Sequence, residues 1–265
     1  MEQERLYKAL SALTGLVSRL RGPGGCPWDA RQTDSTVKMY LIEEAYEVTD
    51  AIEKGDYQEI CEELGDLLFQ IVFLTEMADE RGEFNLNDVL EGITDKMIKR
   101  HPHVFGDVRV ESAEEVSDNW EKIKRDEKGA REKTSSMLKN VPMNLPALLR
   151  AHRLSQRAAK SGFDWAGRAE ILEKVKEEYL ELEESIKENN REQVGEELGD
   201  LLFSLVNLAR HWGFNAEDLL RSTNRKFIRR YECMEDDLAS DGIGILDATV
   251  EEMNRSWDKI KMIKE

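Results

Sequence analysis

Acidic residues recur in pairs at helical spacing in the 265-residue chain. Glu44 and Glu47 are three positions apart, and so are Glu63 and Asp66. Residues three apart lie on one face of a helix, so two neighbouring helices could bring these four carboxylates together. Carboxylate oxygens are the ligands that a hard dication such as Mg²⁺ prefers. The pattern therefore predicts a magnesium site at these residues.

The same pattern returns in the second half of the chain, where the candidate metal ligands are Glu178, Glu181, Glu197 and Asp200. Around them, residues 61–69 recur as residues 195–203, and the two segments differ only at the first position. An ordered series of such matches predicts a duplication. We expect two tandem domains, residues 1–128 and 135–265, joined within the polar stretch 128–140.

Each half reads as a small helical bundle. Apolar residues follow a period near 3.6 in the segments 37–53 and 57–81, which predicts two helices joined at Gly55-Asp56. A third helix is expected from about Asn87 to Arg100, and a fourth is expected to begin at Ser112. Short connections favour antiparallel neighbours, so the predicted class is all-α, with roughly four helices in each half.

Basic and aromatic residues at helical spacing form a second candidate site. Cations suit phosphates and a flat indole suits a base, so the set predicts nucleotide binding. In the second half its members are Lys226, Arg229, Arg230, Trp257 and Lys261. Lys96, Arg100, Trp120 and Lys124 are their counterparts in the first half.

Composition excludes several classes of partner and site. The net charge of −17 disfavours nucleic acid polymers and anionic membranes, and no apolar run is long enough to span a bilayer. Three cysteines without paired spacing disfavour a disulfide framework or a zinc site. The charged first residues disfavour a secretory signal, so we expect a cytoplasmic protein.

Several motifs together carry a family resemblance. They are Gly25-Cys26-Pro27-Trp28-Asp29, His101-Pro102-His103-Val104-Phe105, Gly162-Phe163-Asp164-Trp165, and the paired E-E-x-x-E and E-E-x-x-D segments at 43–47, 62–66, 177–181 and 196–200. In these residues, and over nearly its whole length, the chain resembles the MazG-type nucleoside triphosphate pyrophosphohydrolases of the two-domain bacterial form.

The resemblance implies hydrolysis of (deoxy)nucleoside triphosphates between the α and β phosphates, which yields a nucleoside monophosphate and pyrophosphate. It also implies Mg²⁺ dependence, a broad nucleotide range, homodimers and a catalytic second half. The attacking water would be held by the metal or by an unligated acid such as Glu177 or Glu196. An apolar face at Leu201, Leu202, Leu205 and Val206 independently suggests pairing of like halves.

Three alternatives stay open at this point. A specialised relative would act on dUTP, dCTP or phosphoribosyl-ATP, and a nucleotide panel would distinguish it. A di-iron carboxylate bundle usually needs a Glu-x-x-His motif, and neither acidic segment contains a histidine. A non-enzymatic helical interaction module would show neither metal dependence nor turnover.

Overall fold

The computed structural model describes residues 2–127 and 138–262, except the side chains at positions 114, 117, 118, 121 and 125. Every regular element within these ranges is helical, which confirms the predicted all-α class. The chain divides into two compact units, Met1–Gly129 and Ala130–Glu265. Much of the predicted polar connection, residues 128–137, lies outside the described part, so the domain bounds stay a prediction.

The first unit contains six α-helices and one short 3₁₀ turn, Asp29–Arg31, among its described residues. The helices are α1 (Glu2–Arg21), α2 (Asp34–Lys54), α3 (Tyr57–Glu80), α4 (Leu86–Arg100), α5 (Pro102–Phe105) and α6 (Ala113–Glu127).

A tight turn sets the central pair α2 and α3 side by side. Gly55 ends α2 in the left-handed conformation with φ of 74°, which glycine adopts without steric cost. The Asp56 carboxylate then accepts hydrogen bonds from the backbone N–H groups of Gln58 and Glu59 and caps α3. The turn is short, so the acidic segments of the two helices face each other.

The core of the first unit lies beneath this pair. Val17 of α1 and Val37 of α2 are almost fully buried, and they cluster with Val72, Phe73 and Met77 of α3. Helix α1 packs on α3, and α4 contacts both α3 and α6. Burial of apolar side chains on one face of each helix stabilises the bundle and fixes the positions of α2 and α3.

The second unit contains five helices among its described residues. They are α7 (Ala147–Lys160), α8 (Arg168–Lys187), α9 (Arg191–His211), α10 (Ala216–Ser240) and α11 (Val250–Met262). Helices α8 and α9 form the pair that corresponds to α2 and α3, and Asn190 caps α9. Helix α7 packs on α9 and α10, and α11 packs on α10.

The structure contains more helices than the roughly four expected in each half. Helices α1 and α7, which precede the acidic pairs, were not predicted. Helix α1 covers α3 through the buried side chain of Val17, and α7 covers α9 in the same way as a flanking helix. Each acidic helix pair is therefore packed against a further helix that the acidic motifs do not predict.

Two further predictions concern the thiols and the membrane. Cys26, Cys61 and Cys233 are all free, as expected. No helix in the described ranges combines the length and apolarity that crossing a bilayer requires.

Candidate metal centre and nucleotide site

Three of the four predicted ligands in each unit come together. In the first unit, one oxygen each from Glu44, Glu63 and Asp66 lies within 4.8 Å of the others. Glu44 lies on α2 and the other two lie on α3. The Glu44 and Glu63 side chains are partly buried, whereas Asp66 is exposed. Facing helices at i,i+3 spacing thus produce the carboxylate cluster that the sequence pattern predicts.

In the second unit the corresponding cluster is formed by Glu178 of α8 with Glu197 and Asp200 of α9, again within 4.8 Å. The Glu178 side chain is only 7% exposed. A buried carboxylate requires a compensating cation or hydrogen bond. Three converging oxygen donors from charged groups match the ligand preference of Mg²⁺, so the residues present fit the predicted metal.

The fourth predicted ligands lie at the margins of these clusters. Burial raises the pKa of Glu44 and of Glu197, and the neighbouring carboxyls of Glu47 and Glu181 raise these two pKa values further. Neither Glu47 nor Glu181 belongs to the three-membered group of its unit. Their assignment as metal ligands therefore stays a prediction.

Mutual repulsion is visible in the ionisation of the clusters. Burial raises the pKa of Glu63, and the neighbouring carboxylates Glu47 and Asp66 raise it further. The pKa of Glu197 is raised by burial and then by Glu181, Glu178 and Asp200. Charged carboxylates at this density favour protonation unless a cation neutralises them.

The two candidate general bases are placed differently from the ligands. Glu177 is exposed, and its carboxylate accepts a hydrogen bond of 2.8 Å from the Lys174 ammonium group. Glu196 is exposed on α9, beside Glu197. Both lie next to a cluster member in sequence and outside the three-membered group.

Lys174 is a site residue that the sequence analysis missed. Its Nζ lies 2.8 Å from an oxygen of Glu178 as well as from Glu177. The signal was present, because Lys174 precedes Glu178 by four positions and such pairs share a helix face. The first unit has Tyr40 at the corresponding position, and its ring packs against Trp28 at 6.0 Å between centroids.

The predicted nucleotide-binding residues of the second unit lie on α10 and α11. Lys226 and Arg229 are exposed, Arg230 is half-buried, and Trp257 packs against Phe227 at 5.4 Å between ring centroids. Lys261 forms an exposed ion pair with its helix neighbour Asp258. Among the described helices, α11 packs only on α10, and α8 packs only on α9. Trp257 and Lys261 therefore lie on a helix that is not packed against α8.

The corresponding residues of the first unit engage one another. The Arg100 guanidinium donates to the Glu127 carboxylate at 3.1 Å from Nε and lies 5.1 Å from the centroid of the Trp120 ring. The His101 ring also contacts the Trp120 ring in an edge-on arrangement. The His101-Pro102 step ends α4, as expected from its sequence. Arg100 and Trp120 are thus held in an intramolecular ion pair and ring contact.

The glycine-containing motifs hold the loops that precede the acidic helices. A Cβ atom at Gly25 would lie 2.3 Å from the carbonyl oxygens of Arg19 and Leu20, so only glycine fits there. Arg21 donates to the Asp29 carbonyl oxygen and to the Glu80 carboxylate at 2.7 Å. Through Arg21, these contacts attach the segment 25–29 to α3, so the motif has a structural role.

In the second unit Asp164 performs the corresponding anchoring. It accepts hydrogen bonds from Arg210 and from the backbone N–H of Trp165, and it lies 3.0 Å from the His211 ring. The hydrogen bond from Arg210 lowers the pKa of Asp164 to about 2 against the opposing effect of burial, and the contact with His211 lowers it further. The loop before α8 is thereby attached to the end of α9.

Replacing Asp164 with asparagine should lower the free energy of unfolding by roughly 1–2 kcal/mol at neutral pH. A lowered pKa in the folded state stabilises the protein above the pKa of the unfolded chain. That stabilisation is lost as the pH falls through the folded value. The deficit of the variant should therefore narrow between about pH 4 and pH 2.

Urea unfolding followed by circular dichroism checks this prediction. The Asp258→Asn variant is the matched control, because Asp258 forms an exposed helix pair with Lys261 and should contribute little. Equal stability of the Asp164 variant and the unchanged protein at neutral pH would contradict the anchoring role.

Comparisons with known proteins agree with the clusters and the motifs. The family model described as the MazG nucleotide pyrophosphohydrolase domain matches residues 32–105 and 167–234, once in each unit. A nucleoside triphosphate pyrophosphohydrolase of Escherichia coli K12 is 42% identical over 255 residues, which cover 95% of this chain and 97% of that protein. The Thermotoga maritima nucleoside triphosphate pyrophosphohydrolase/pyrophosphatase MazG is 41% identical over 249 residues, 94% of each chain.

These matches extend over both units and include both acidic helix pairs. They confirm the family resemblance carried by the sequence motifs and the prediction that the protein is a hydrolytic enzyme. The chain belongs to the MazG nucleotide pyrophosphohydrolase family.

Proposed function

We propose that the protein hydrolyses (deoxy)nucleoside triphosphates between the α and β phosphates, and that Mg²⁺ is its cofactor. The products are a nucleoside monophosphate and pyrophosphate. The observation that carries the proposal is the convergence of Glu178, Glu197 and Asp200 on two packed helices within a chain of this family. A net charge of −17 opposes the approach of an anionic substrate, and a bound cation would offset this repulsion.

The second-unit carboxylates would hold the metal, with Glu181 as a fourth ligand at the margin. When bound, Mg²⁺ supplies charge neutralisation at phosphate oxygens and lowers the energy of the transition state. Lys226, Arg229 and Arg230 bind further phosphate oxygens, while Trp257 stacks on the base. These contacts orient the substrate for attack by water at phosphorus in line with the departing phosphate.

Glu177 or Glu196 accepts the proton of the attacking water. Glu177 lies beside Lys174 and accepts a hydrogen bond from its ammonium group. Glu196 lies beside Glu197 on the opposite helix. The new bond forms between the water oxygen and phosphorus, and the bond to the leaving phosphate oxygen breaks.

A nucleotide panel tests the proposed activity. The four ribonucleoside and four deoxyribonucleoside triphosphates are incubated with the protein and Mg²⁺, and the products are separated by ion-exchange chromatography. We expect hydrolysis of several members and none after EDTA treatment. Activity confined to dUTP or dCTP would instead indicate a specialised relative, and turnover that persists in EDTA would contradict the metal requirement.

We also infer a homodimer in which like units pair. The helix pair α8–α9 leaves large apolar side chains exposed in the single chain, among them Leu180, Leu198, Leu202 and Leu205. Val206, which the sequence analysis placed on this face, is 1% exposed and belongs to the core of its own unit. Exposed apolar area of this kind on a minimal bundle favours burial against a second copy.

Light scattering coupled to size-exclusion chromatography measures this directly. At micromolar concentration we expect the mass of two chains. The Leu202→Glu variant should shift the equilibrium towards the single chain by at least about tenfold, because a buried charge without a partner opposes association. A single-chain mass for the unchanged protein would refute the dimer.

A further inference from the structure

The second-unit cluster already contains a cation of its own. The Lys174 ammonium group lies 2.8 Å from a Glu178 oxygen, at the most buried of the three clustered carboxylates. It also donates to Glu177 at 2.8 Å. The Lys174 side chain is 36% exposed, so it reaches into the cluster from the surface.

The first-unit cluster is compensated differently. Tyr40, a neutral residue, holds the position that corresponds to Lys174. Glu44, the counterpart of Glu178, accepts a hydrogen bond of 3.3 Å from the amide of Gln70. The two clusters therefore repeat their acids but differ by one positive charge at the equivalent carboxylate.

An ammonium group and a divalent cation compete for one carboxylate. At separations of a few ångströms in a partly buried site their repulsion disfavours joint occupancy of Glu178. Lysine ends in a compact charge on a flexible stem and can move away without disturbing the helix backbone. Phosphate oxygens that enter with the divalent cation offer the displaced ammonium a new anionic partner.

We propose that Lys174 is a placeholder cation that neutralises Glu178 while no divalent cation is bound and then transfers to the triphosphate of the substrate. This inference rests on the proposed function of the second unit. It assigns to Lys174 opposite effects on two ligands: it weakens the binding of the divalent cation alone, and it strengthens the binding of the nucleotide with that cation. A purely structural lysine would not produce opposite signs.

The chain offers a matched control on the same helix. Lys176 forms an ion pair of 2.8 Å with Glu173, and both side chains are more than half exposed. Neither residue belongs to the cluster. The Lys176→Met variant removes the same charge and the same kind of helix pair at a position that does not contact Glu178.

The test measures Mn²⁺ binding to the nucleotide-free protein by calorimetry, and KM for ATP from hydrolysis. All proteins carry Glu63→Gln, which weakens the first-unit cluster and isolates the second. For Lys174→Met we expect Mn²⁺ to bind about tenfold more tightly and the KM for ATP to rise about tenfold. Lys174→Arg keeps the charge and should change both quantities less than Lys174→Met does, and Lys176→Met should match the parent.

Unchanged or weaker Mn²⁺ binding by Lys174→Met, in a parent that binds Mn²⁺ and hydrolyses ATP, would overturn the placeholder role and leave the proposed function intact. An unchanged KM with tighter Mn²⁺ binding would overturn the transfer to phosphate. A parent that neither binds Mn²⁺ nor hydrolyses ATP would refute the proposed function, and the placeholder role with it.

Discussion

Alanine at both Glu178 and Glu181 should abolish most of the activity, whereas alanine at both Glu44 and Glu47 should leave more than about half. The acidic residues of the two units are equal in type and spacing, so the difference must come from their surroundings. In the second unit the Lys174 ammonium group lies on Glu178, whereas in the first unit the neutral amide of Gln70 donates to Glu44.

The helices that carry the basic residues, α10 and α4, also favour the second unit as the phosphate-binding one. Helix α10 continues ten residues beyond Arg230, so Arg229 and Arg230 lie well inside it. Helix α4 ends at Arg100, and that side chain is paired with Glu127 and packed over Trp120. Residues inside a helix hold their direction better than residues at its end, so the second unit presents the better-ordered phosphate site.

The specific activities of the two double variants show which unit is catalytic, once circular dichroism has shown that each variant retains its helicity. Under this account the first unit contributes mainly to dimer formation or regulation. Equal losses would mean that both units are catalytic. A larger loss from the change at Glu44 and Glu47 would reverse the assignment.

Glutamine at Glu197 should lower turnover by roughly two orders of magnitude and weaken the apparent affinity for Mg²⁺. The substitution preserves size and removes one of the three converging negative charges. The fold should persist and could gain stability. Burial raises the pKa of the Glu197 carboxyl, and Glu181, Glu178 and Asp200 raise it further. The negative charge of Glu197 is therefore unfavourable without a cation.

Glu63→Gln is the matched control, because Glu63 occupies the same position in the first unit and its pKa is raised by the same causes. We expect the control to change turnover less than about twofold. Steady-state rates at limiting and saturating Mg²⁺ separate the two effects. Near-normal turnover of the Glu197 variant at limiting Mg²⁺ would show that the ligand assignment is wrong.

The carboxylate clusters could be predicted because they depend on local geometry. Spacing of three positions places Glu63 and Asp66 on one helix face. The short turn at Gly55-Asp56 makes α3 pack antiparallel to α2. Sequence repetition then extended the same reasoning to the second half. The family motifs carried the prediction of the reaction.

Tertiary contacts were harder to predict. The packing of α1 and α7 behind the acidic pairs depends on long-range burial, for which a single apolar stripe such as the one containing Val17 is a weak signal. The placement of Glu47 and Glu181 at the cluster margins depends on side-chain rotamers, and so does the contact of Lys174 with Glu178. Helical spacing permits these contacts without requiring them.

The position of the cleaved bond tests the central claim most directly. Phosphorus NMR follows ATP during incubation with Mg²⁺ and either the unchanged protein or the variant with alanine at Glu178 and Glu181. The account predicts that the unchanged protein produces AMP and pyrophosphate in equal amounts, and that the variant leaves ATP almost intact. Formation of ADP and inorganic phosphate by the unchanged protein, or full activity of the variant, would contradict it.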